Sequence, residues 1–353
     1  MKSLKSLKSL LCLICLKSQF IIQYMTTYWD YPFHPAIKKQ YQLDLGQGNT
    51  PMSKAPVKIQ QFTGIKNLYL KREDLNPNGS FKDRALGYQM SYLLQKQAKY
   101  CVLSSSGNAA ISCCAFAQKT DIKSIILVSP DISENKLSQI VNRKPYLLIK
   151  SKNARRLANY INKKYNIPIL NPSKDLNASM GFETLGMEIY KQNPKCDAIF
   201  SYSTSGASLL GIFQYYLKNN INPPRLIGVK TYTTKISRYQ STSLPRFYSF
   251  PNKQQIIQAI SQTNGSLYQI HQDEIKHGQQ ILHDIGISSS QEGSACLHAV
   301  KGYIESAKEL NEPKKIPSNI VLIISGTEHK TLPIDPKFPI HSLEAKEEID
   351  KLL

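Results

Sequence analysis

Short apolar runs alternate with amphipathic segments along most of the chain. The runs at 100–105 (YCVLSS), 123–129 (KSIILVS) and 319–325 (NIVLIIS) are almost continuously apolar, which predicts strands buried on both faces. Segments such as 81–98 and 181–192 instead carry apolar residues at helical spacing. Near-continuous apolar strands that alternate with helices are typical of parallel sheets covered by helices on both faces. The pattern therefore predicts an α/β protein with doubly wound parallel sheets.

The same criteria predict the other elements of the fold. Further strands are expected at 68–71, 145–150, 167–170, 196–202 and 225–230, and further helices at 109–118, 134–141, 153–164 and 207–217. A region rich in Pro, Ser and Gln at 237–255 predicts a loop or an insertion.

Composition narrows the class of protein. The chain has 353 residues, of which 41% are hydrophobic, so it can bury a large core and is globular rather than disordered. Its formal net charge is +20, from 45 basic and 25 acidic residues. The lysines are spread along the whole chain and form no basic stripe with interleaved aromatic residues. A general bias toward lysine is therefore favoured and no nucleic-acid partner is expected, with a basic nucleic-acid binder as a remaining alternative.

The first residues of the chain and its cysteines indicate the cellular compartment in which the protein is expected. The segment 1–17 (MKSLKSLKSLLCLICLK) resembles a signal peptide, but its apolar run at 10–16 is too short to span a bilayer and no small-residue cleavage site follows. Met25 opens a more ordinary start, so residues 1–24 are interpreted as an upstream extension and no membrane partner is expected. Apart from one isolated pair, Cys12 and Cys15, the seven cysteines lack the spacing of disulfide frameworks and zinc sites. We expect no metal site and a reducing, cytoplasmic location.

Four loops of small residues follow predicted strands or turns. They lie at 78–84 (NGSFKDR), 104–110 (SSSGNAA), 203–211 (STSGASLLG) and 325–330 (SGTEHK). In doubly wound sheets, ligands bind at the carboxyl ends of strands, where such loops meet helix N-termini. One loop alone would be weak evidence, whereas four in this order predict one ligand-binding cleft.

Together with 46–51 (GQGNTP), these segments resemble the fold type II enzymes that use pyridoxal phosphate. The motif at 68–87 (LYLKREDLNPNGSFKDRALG) carries most of the resemblance, and 104–112 (SSSGNAAIS) and 325–333 (SGTEHKTLP) follow in the expected order. Within that group the chain looks most like the threonine synthases.

The resemblance implies a particular domain organisation. In this tryptophan synthase beta-like architecture, two doubly wound parallel-sheet domains hold the cofactor in the cleft between them. Residues 25–85 and 171–353 would form the large cofactor-binding domain, and 86–170 the smaller mobile domain.

Lys82 stands where a tight turn meets a helix start, and chemistry gives it a special role. An amine must be uncharged to attack a carbonyl group, so a reactive lysine needs partial burial or cationic neighbours. By the resemblance, Lys82 binds the cofactor aldehyde covalently, and its freed amine is the general base for the substrate Cα proton.

The Asn108 amide would donate to the phenolic oxygen of the cofactor ring. Ser325 would face the pyridine nitrogen, where a neutral hydroxyl suits elimination and replacement over transamination.

Two further loops are implied to bind anions through backbone N–H groups, although such loops also form ordinary helix caps. Those of Ser105, Ser106 and Gly107 would bind the substrate carboxylate. The cofactor phosphate would be bound by Thr204, Ser205, Gly206, Ala207 and Ser208.

The chain departs from the threonine synthase pattern in three places. Thr204 and Ala207 stand where glycines are expected in the phosphate loop. Ala178 stands where the family has an arginine for the substrate phosphate, and the nearest positive charge in the sequence is Lys174. A Ser-Gln pair at 290–291 replaces a Glu-Pro pair ahead of a helix. These departures bear on the substrate more than on the cofactor.

The resemblance implies a pyridoxal-phosphate lyase of threonine biosynthesis, which converts O-phospho-L-homoserine and water to L-threonine and phosphate. A threonine or serine ammonia-lyase on the same fold is an alternative, favoured by the missing arginine. A catalytically drifted protein that still binds pyridoxal phosphate is another, favoured by the altered phosphate loop. The expected partner is a small amino-acid substrate, and the expected assembly is a monomer or a homodimer.

Overall fold

The computed structural model describes residues 27–172, 174–232, 253–311 and 316–353. The expected extension at 1–24 and most of the predicted loop at 237–255 lie outside these ranges. The described strands are β1 Met52–Lys54, β2 Asn67–Lys71, β3 Tyr100–Ser104, β4 Lys123–Val128, β5 Leu147–Lys150, β6 Ala198–Tyr202, β7 Arg225–Tyr232, β8 Ser266–His271, β9 Asn319–Ile323 and β10 His341–Ser342.

The described helices surround these strands. They are α1 Val57–Thr63, α2 Lys82–Gln95, α3 Asn108–Ala117, α4 Glu134–Val141, α5 Ala154–Tyr165, α6 Met180–Gln192, α7 Ala207–Lys218, α8 Lys253–Gln262, α9 Gln272–His283, α10 Gln291–Glu309 and α11 Lys346–Ile349. In the described ranges, no helix combines the length and the apolar composition needed to cross a membrane.

The strands form two sheets. The larger has the order β1-β2-β9-β6-β7-β8, and the smaller has the order β10-β5-β4-β3. Every neighbouring pair is parallel except β1 with β2. The predicted α/β class with parallel sheets is confirmed.

Alternate residues along the central strands face different cores, which explains the continuous apolar runs. In β9, Val321 joins a core shared by both sheets, and Leu322 joins a core on the other face of the larger sheet. In β4, Ile126 faces the shared core and Ile125 faces a third core behind the smaller sheet. All four side chains are fully buried. Burial on both faces is what requires apolar residues at consecutive positions.

The strand predicted at 167–170 is wrong. A single bridge joins Ile169 to Val102 of β3, whose N–H donates to the Pro168 carbonyl at 2.9 Å. Pro168 has no N–H with which to extend the ladder. The other predicted elements agree with the structure within three residues at each end, while β8 and α9, among others, were not predicted.

The C-terminal part of the chain crosses from the larger sheet to the smaller one. Strand β10 pairs with β5, with His341 opposite Ile149, and so covers the edge of the smaller sheet. Ile349 of α11 is buried in the core behind that sheet. The resemblance implies that all of 171–353 belongs to the large domain, whereas in the structure 341–349 lie against the smaller sheet. The other domain boundaries stay a prediction.

Candidate active site

A cavity of about 350 Å³ lies at the carboxyl ends of β3, β6 and β9. Both sheets therefore contribute to it, at the edge where α/β folds bind their ligands. Predicted site residues that line it are Lys82, Ser105, Gly107, Asn108, Thr204, Ser205, Ser208 and Ser325. Ser106, Gly206 and Ala207 are adjacent in sequence but are not part of its lining.

Lys82 is the first residue of α2, and the turn before it is fixed against the chain that follows β9. Gly79 has a φ of +75°, and a Cβ atom there would lie 2.5 Å from Thr327 Cγ2, so the close approach requires glycine. The Thr327 N–H donates to the Gly79 carbonyl at 2.8 Å, and the Phe81 N–H donates to the Ser325 carbonyl at 3.0 Å. This pairing brings Lys82 and Ser325 to the same cavity.

The amine of Lys82 lies among apolar groups. Its Nζ is 4.7 Å from the centroid of the Phe81 ring and 5.9 Å from that of Phe182. Burial lowers the pKa of Lys82 to about 8, although the Glu292 carboxylate opposes that shift. Near neutral pH, Lys82 thus has a larger uncharged fraction than an ordinary lysine, as attack on a carbonyl requires.

Asn108 begins α3, and its amide has contacts on two sides. His329 Nε2 lies 3.2 Å from Asn108 Oδ1. The backbone of Gly326 packs against the amide nitrogen, since a Cβ atom at that glycine would lie 2.6 Å from Asn108 Nδ2. The position of the amide is therefore set by the segment that follows β9.

The two serines ahead of α3 make different contacts. Ser105 Oγ accepts a hydrogen bond from the Gly107 N–H at 3.2 Å and lines the cavity. Ser106 Oγ accepts one from the Ser129 N–H at 2.7 Å, which joins the loop to the chain after β4. The first-turn N–H groups of a helix have no partner within the helix, so this loop can bind a carboxylate. That role of 105–107 stays a prediction.

The loop 203–206 leads into α7, a helix of 12 residues. Gly206 precedes the helix with a φ of +79°, and Ala207 is its first, buried residue. The Ser203 hydroxyl is buried, lines the cavity and has no hydrogen-bond partner among the described residues. An unpartnered hydroxyl beside a helix N-terminus fits a bound phosphate.

A network of four buried charges supports the start of α2. Arg84 Nε donates to Glu73 at 2.7 Å, and Arg84 Nη2 donates to Glu188 at 2.7 Å. Lys71 Nζ donates to Glu188 at 2.6 Å. Burial alone would raise the pKa of Glu188, but Arg84 and Lys71 outweigh it and lower that pKa to about 2. Because Arg84 follows Lys82 by two positions, the network holds the first turn of the helix in place.

Two charged residues that were not expected from the sequence also line the cavity. They are Arg155 on α5 and Glu292 in the first turn of α10. Glu292 Oε1 lies 3.6 Å from Lys136 Nζ on α4, and its Oε2 is buried without a hydrogen-bond partner in the described ranges. Ala178 is fully buried, and the exposed Lys174 does not line the cavity. The structure thus offers an arginine from a different helix than the family pattern suggested.

The chemistry of these groups fits pyridoxal phosphate. Lys82 offers an amine for the aldehyde, and Asn108 an amide for the ring oxygen. Ser325, buried two residues after the end of β9, offers a hydroxyl for the ring nitrogen. The N-terminus of α7, with Ser203, offers donors for the phosphate.

A second, larger cavity of about 630 Å³ is separate from this one. The residues that line it include Tyr92, Leu93 and the segment 165–170. None of the predicted site residues lines it. Within the described part of the chain, no group of three or more His, Cys, Asp or Glu side chains is placed to hold a metal ion. The residues, rather than the volume, therefore identify the smaller cavity as the candidate active site.

Comparison with known proteins gives a family and several relatives. Residues 43–326 match the model of a family described as "Pyridoxal-phosphate dependent enzyme". The chain is 24% identical to the threonine synthase of Bacillus sp. (strain ULM1), over 87% of this chain and 89% of that protein. It is 31% identical to the mitochondrial threonine dehydratase of Schizosaccharomyces pombe, over 52% of this chain but only 31% of that protein. Maize serine racemase shares the fold, with a TM-score of 0.65 and 17% identity over 81% of this chain and 89% of that one.

Proposed function

The chain belongs to the pyridoxal-phosphate dependent enzymes, and we propose that within this family it is a threonine synthase-like lyase that converts O-phospho-L-homoserine and water to L-threonine and phosphate. The family match covers most of the chain and confirms the predicted fold class and cofactor. The threonine synthase relative, which is matched over most of both chains, supports the narrower reaction.

One observation carries the proposal. The Lys82 amine lies in a cavity that also contains Arg155 and the loops ahead of α3 and α7. The substrate has a carboxylate and a phosphate, and the cofactor has a second phosphate. Two helix N-termini and one guanidinium provide a separate binding group for each of these three anions.

The side chains divide the proposed work between them. Bound pyridoxal phosphate supplies an aldehyde that links to an amine and a ring that withdraws electrons from the adjacent carbon. Lys82, with its lowered pKa, takes the proton from the substrate Cα and holds it beside the Glu292 carboxylate. Asn108 and Ser325 orient the ring, and because the Ser325 hydroxyl is neutral it does not force a proton onto the ring nitrogen. Arg155 orients the leaving phosphate.

A threonine or serine ammonia-lyase is the second candidate. Ala178 provides no charge where the threonine synthases have an arginine, and Glu292 places a carboxylate in the cavity that an anionic substrate must approach. The partial match to a threonine dehydratase is consistent with this reaction. The substrates of such an ammonia-lyase, threonine and serine, carry no phosphate, so this reaction requires no role for Arg155.

The test is a pair of assays on purified protein loaded with pyridoxal phosphate. Phosphate release from O-phospho-L-homoserine is expected, together with threonine formation, and Lys82→Ala is expected to abolish both. Ammonia release from threonine or serine without phosphate release would contradict the leading proposal and support the second. Cofactor binding with neither reaction would support a drifted binding protein.

The cellular location, the partner and the assembly are also part of the proposal. The cysteines that the structure describes are all free, consistent with a reducing cytoplasm. The proposed partner is the amino-acid substrate, with a monomer or a homodimer as the assembly.

A further inference from the structure

His329 is the side chain that contacts Asn108 at the cavity. Its Nε2 lies 3.2 Å from Asn108 Oδ1, although the two residues are 221 positions apart in the sequence. An amide oxygen has no hydrogen, so the imidazole must donate in this contact. The hydrogen bond therefore defines both the tautomer of His329 and the orientation of the Asn108 amide.

The backbone that follows the imidazole is held by α4. Asn135 Nδ2 donates to the His329 carbonyl at 3.0 Å, and Gln139 Nε2 donates to the Lys330 carbonyl at 2.9 Å. The imidazole ring itself packs against the turn that precedes Lys82, since a Cβ atom at Gly79 would lie 3.1 Å from His329 Cε1. With its backbone and its ring both fixed, the imidazole presents Nε2 in one direction.

The charge state of the imidazole favours this arrangement. Burial lowers the pKa of His329 to about 4, and the nearby cations Arg143 and Lys136 act in the same direction, while Glu292 opposes them. At neutral pH the ring is uncharged and carries a single N–H. Donation from Nε2 to Asn108 uses that N–H, and Nδ1 is left as an acceptor.

The orientation of the amide decides what Asn108 can offer to a ligand. With Oδ1 bound by His329, the two N–H groups on Nδ2 are available, and these are the donors that the ring oxygen of pyridoxal phosphate requires. The opposite orientation would turn the amide oxygen toward an electron-rich oxygen, which is repulsive. We propose that His329 is a positioning residue, which fixes the Asn108 amide with its N–H groups directed at the cofactor. This inference rests on the role proposed for Asn108 and does not depend on the substrate.

The test compares three variants in cofactor-free protein titrated with pyridoxal phosphate. His329→Leu removes the donor, and His329→Gln restores an N–H on a side chain of similar reach. His283→Leu is the matched control, because His283 is an exposed histidine at the end of α9. The readouts are the apparent Kd for pyridoxal phosphate and the position of the visible absorption band of the bound cofactor.

His329→Leu is expected to weaken cofactor binding about tenfold, the effect of one lost buried hydrogen bond, and to shift the absorption band. His329→Gln should recover most of the affinity and the wild-type band, and His283→Leu should match the wild type. Unchanged binding and an unchanged band in His329→Leu would overturn the proposal. A loss that His329→Gln does not repair would also overturn it, because packing alone would then explain the effect. Because no amino acid takes part, these outcomes are independent of the proposed reaction.

Discussion

The backbone N–H of Phe81 donates to the carbonyl oxygen of Ser325 over 3.0 Å. This hydrogen bond joins the residue before Lys82, the proposed reactive lysine, to the residue predicted to face the cofactor ring nitrogen. The two groups that would bind opposite parts of the cofactor are thus placed relative to each other by main chain, which varies less in position than side chains do.

Gly79→Ala should disrupt this junction. A residue with a side chain at positive φ costs roughly 1–2 kcal/mol, and at position 79 the new methyl group would also meet Thr327 Cγ2 at 2.5 Å. The matched control is Gly64→Ala, because Gly64 has the same φ of +75° with no atom within 4 Å of the added methyl group. Urea unfolding should show a larger loss for Gly79→Ala, which alone should also weaken binding of pyridoxal phosphate. Equal losses and equal binding would show that the junction with Thr327 is unimportant.

Glu292→Gln should lower the pKa of Lys82 further below about 8, since the carboxylate is what opposes the effect of burial. The other charged or titratable groups close to this part of the cavity are Lys136, Arg155, Tyr202 and His329. The measurement is the pH dependence of acylation of Lys82 in cofactor-free protein, followed by peptide mass spectrometry. Glu328→Gln removes a nearby exposed carboxylate and should leave the profile unchanged. An upward shift in Glu292→Gln would rule out the assigned interaction.

Arg155→Gln should raise the KM for O-phospho-L-homoserine about 10- to 100-fold with a much smaller change in kcat, because a charge-assisted hydrogen bond to the substrate phosphate is lost. The control is Arg156→Gln, since Arg156 is the next residue on the same helix but does not line the cavity. Steady-state phosphate release measures both. If the two variants behave alike, Arg155 does not bind the substrate phosphate.

Glu188→Gln should destabilise the fold by about 3–5 kcal/mol, because it leaves Arg84 and Lys71 buried without their shared partner. Asp284→Asn removes the exposed pair with Lys58 and should change stability little. Because the pKa of Glu188 is lowered to about 2, its ion pairs stabilise the native state fully above about pH 4.5, and that contribution is lost as the pH falls toward 2. Urea unfolding between pH 2 and 6 should therefore show a shallower pH dependence in Glu188→Gln. A dependence as steep as that of the wild type would mean that other carboxylates cause the acid sensitivity.

The sequence predicted the strands better than the surroundings of the site. Continuous apolar runs such as 123–129 require burial on both faces, so their pattern alone indicates a parallel sheet. Lys82 could be identified because the turn, the lysine and the helix start are consecutive in the chain. The strand expected at 167–170 failed because the missing N–H of one proline outweighed an otherwise favourable pattern.

Arg155 and Glu292 could not be predicted in the same way. Each is a polar residue in a segment where exposure to solvent would be the ordinary expectation, and no local pattern distinguishes it from its neighbours. They line the cavity only because the order of strands in the two sheets brings α5 and α10 together. His329 lies in the predicted loop 325–330, but its contact with Asn108, 221 positions away, could not be predicted from that loop. Likewise, Arg84 and Glu188 are 104 positions apart, and their pairing becomes visible only in three dimensions.

The crossing of the C-terminal segment has a consequence for biosynthesis. Strands β3, β4 and β5 leave the ribosome early, but the partner that covers the edge of β5 is translated after every described strand of the other sheet. During translation that edge has unpaired backbone groups. A chaperone that binds extended segments would therefore have the most time to bind at the edge of β5.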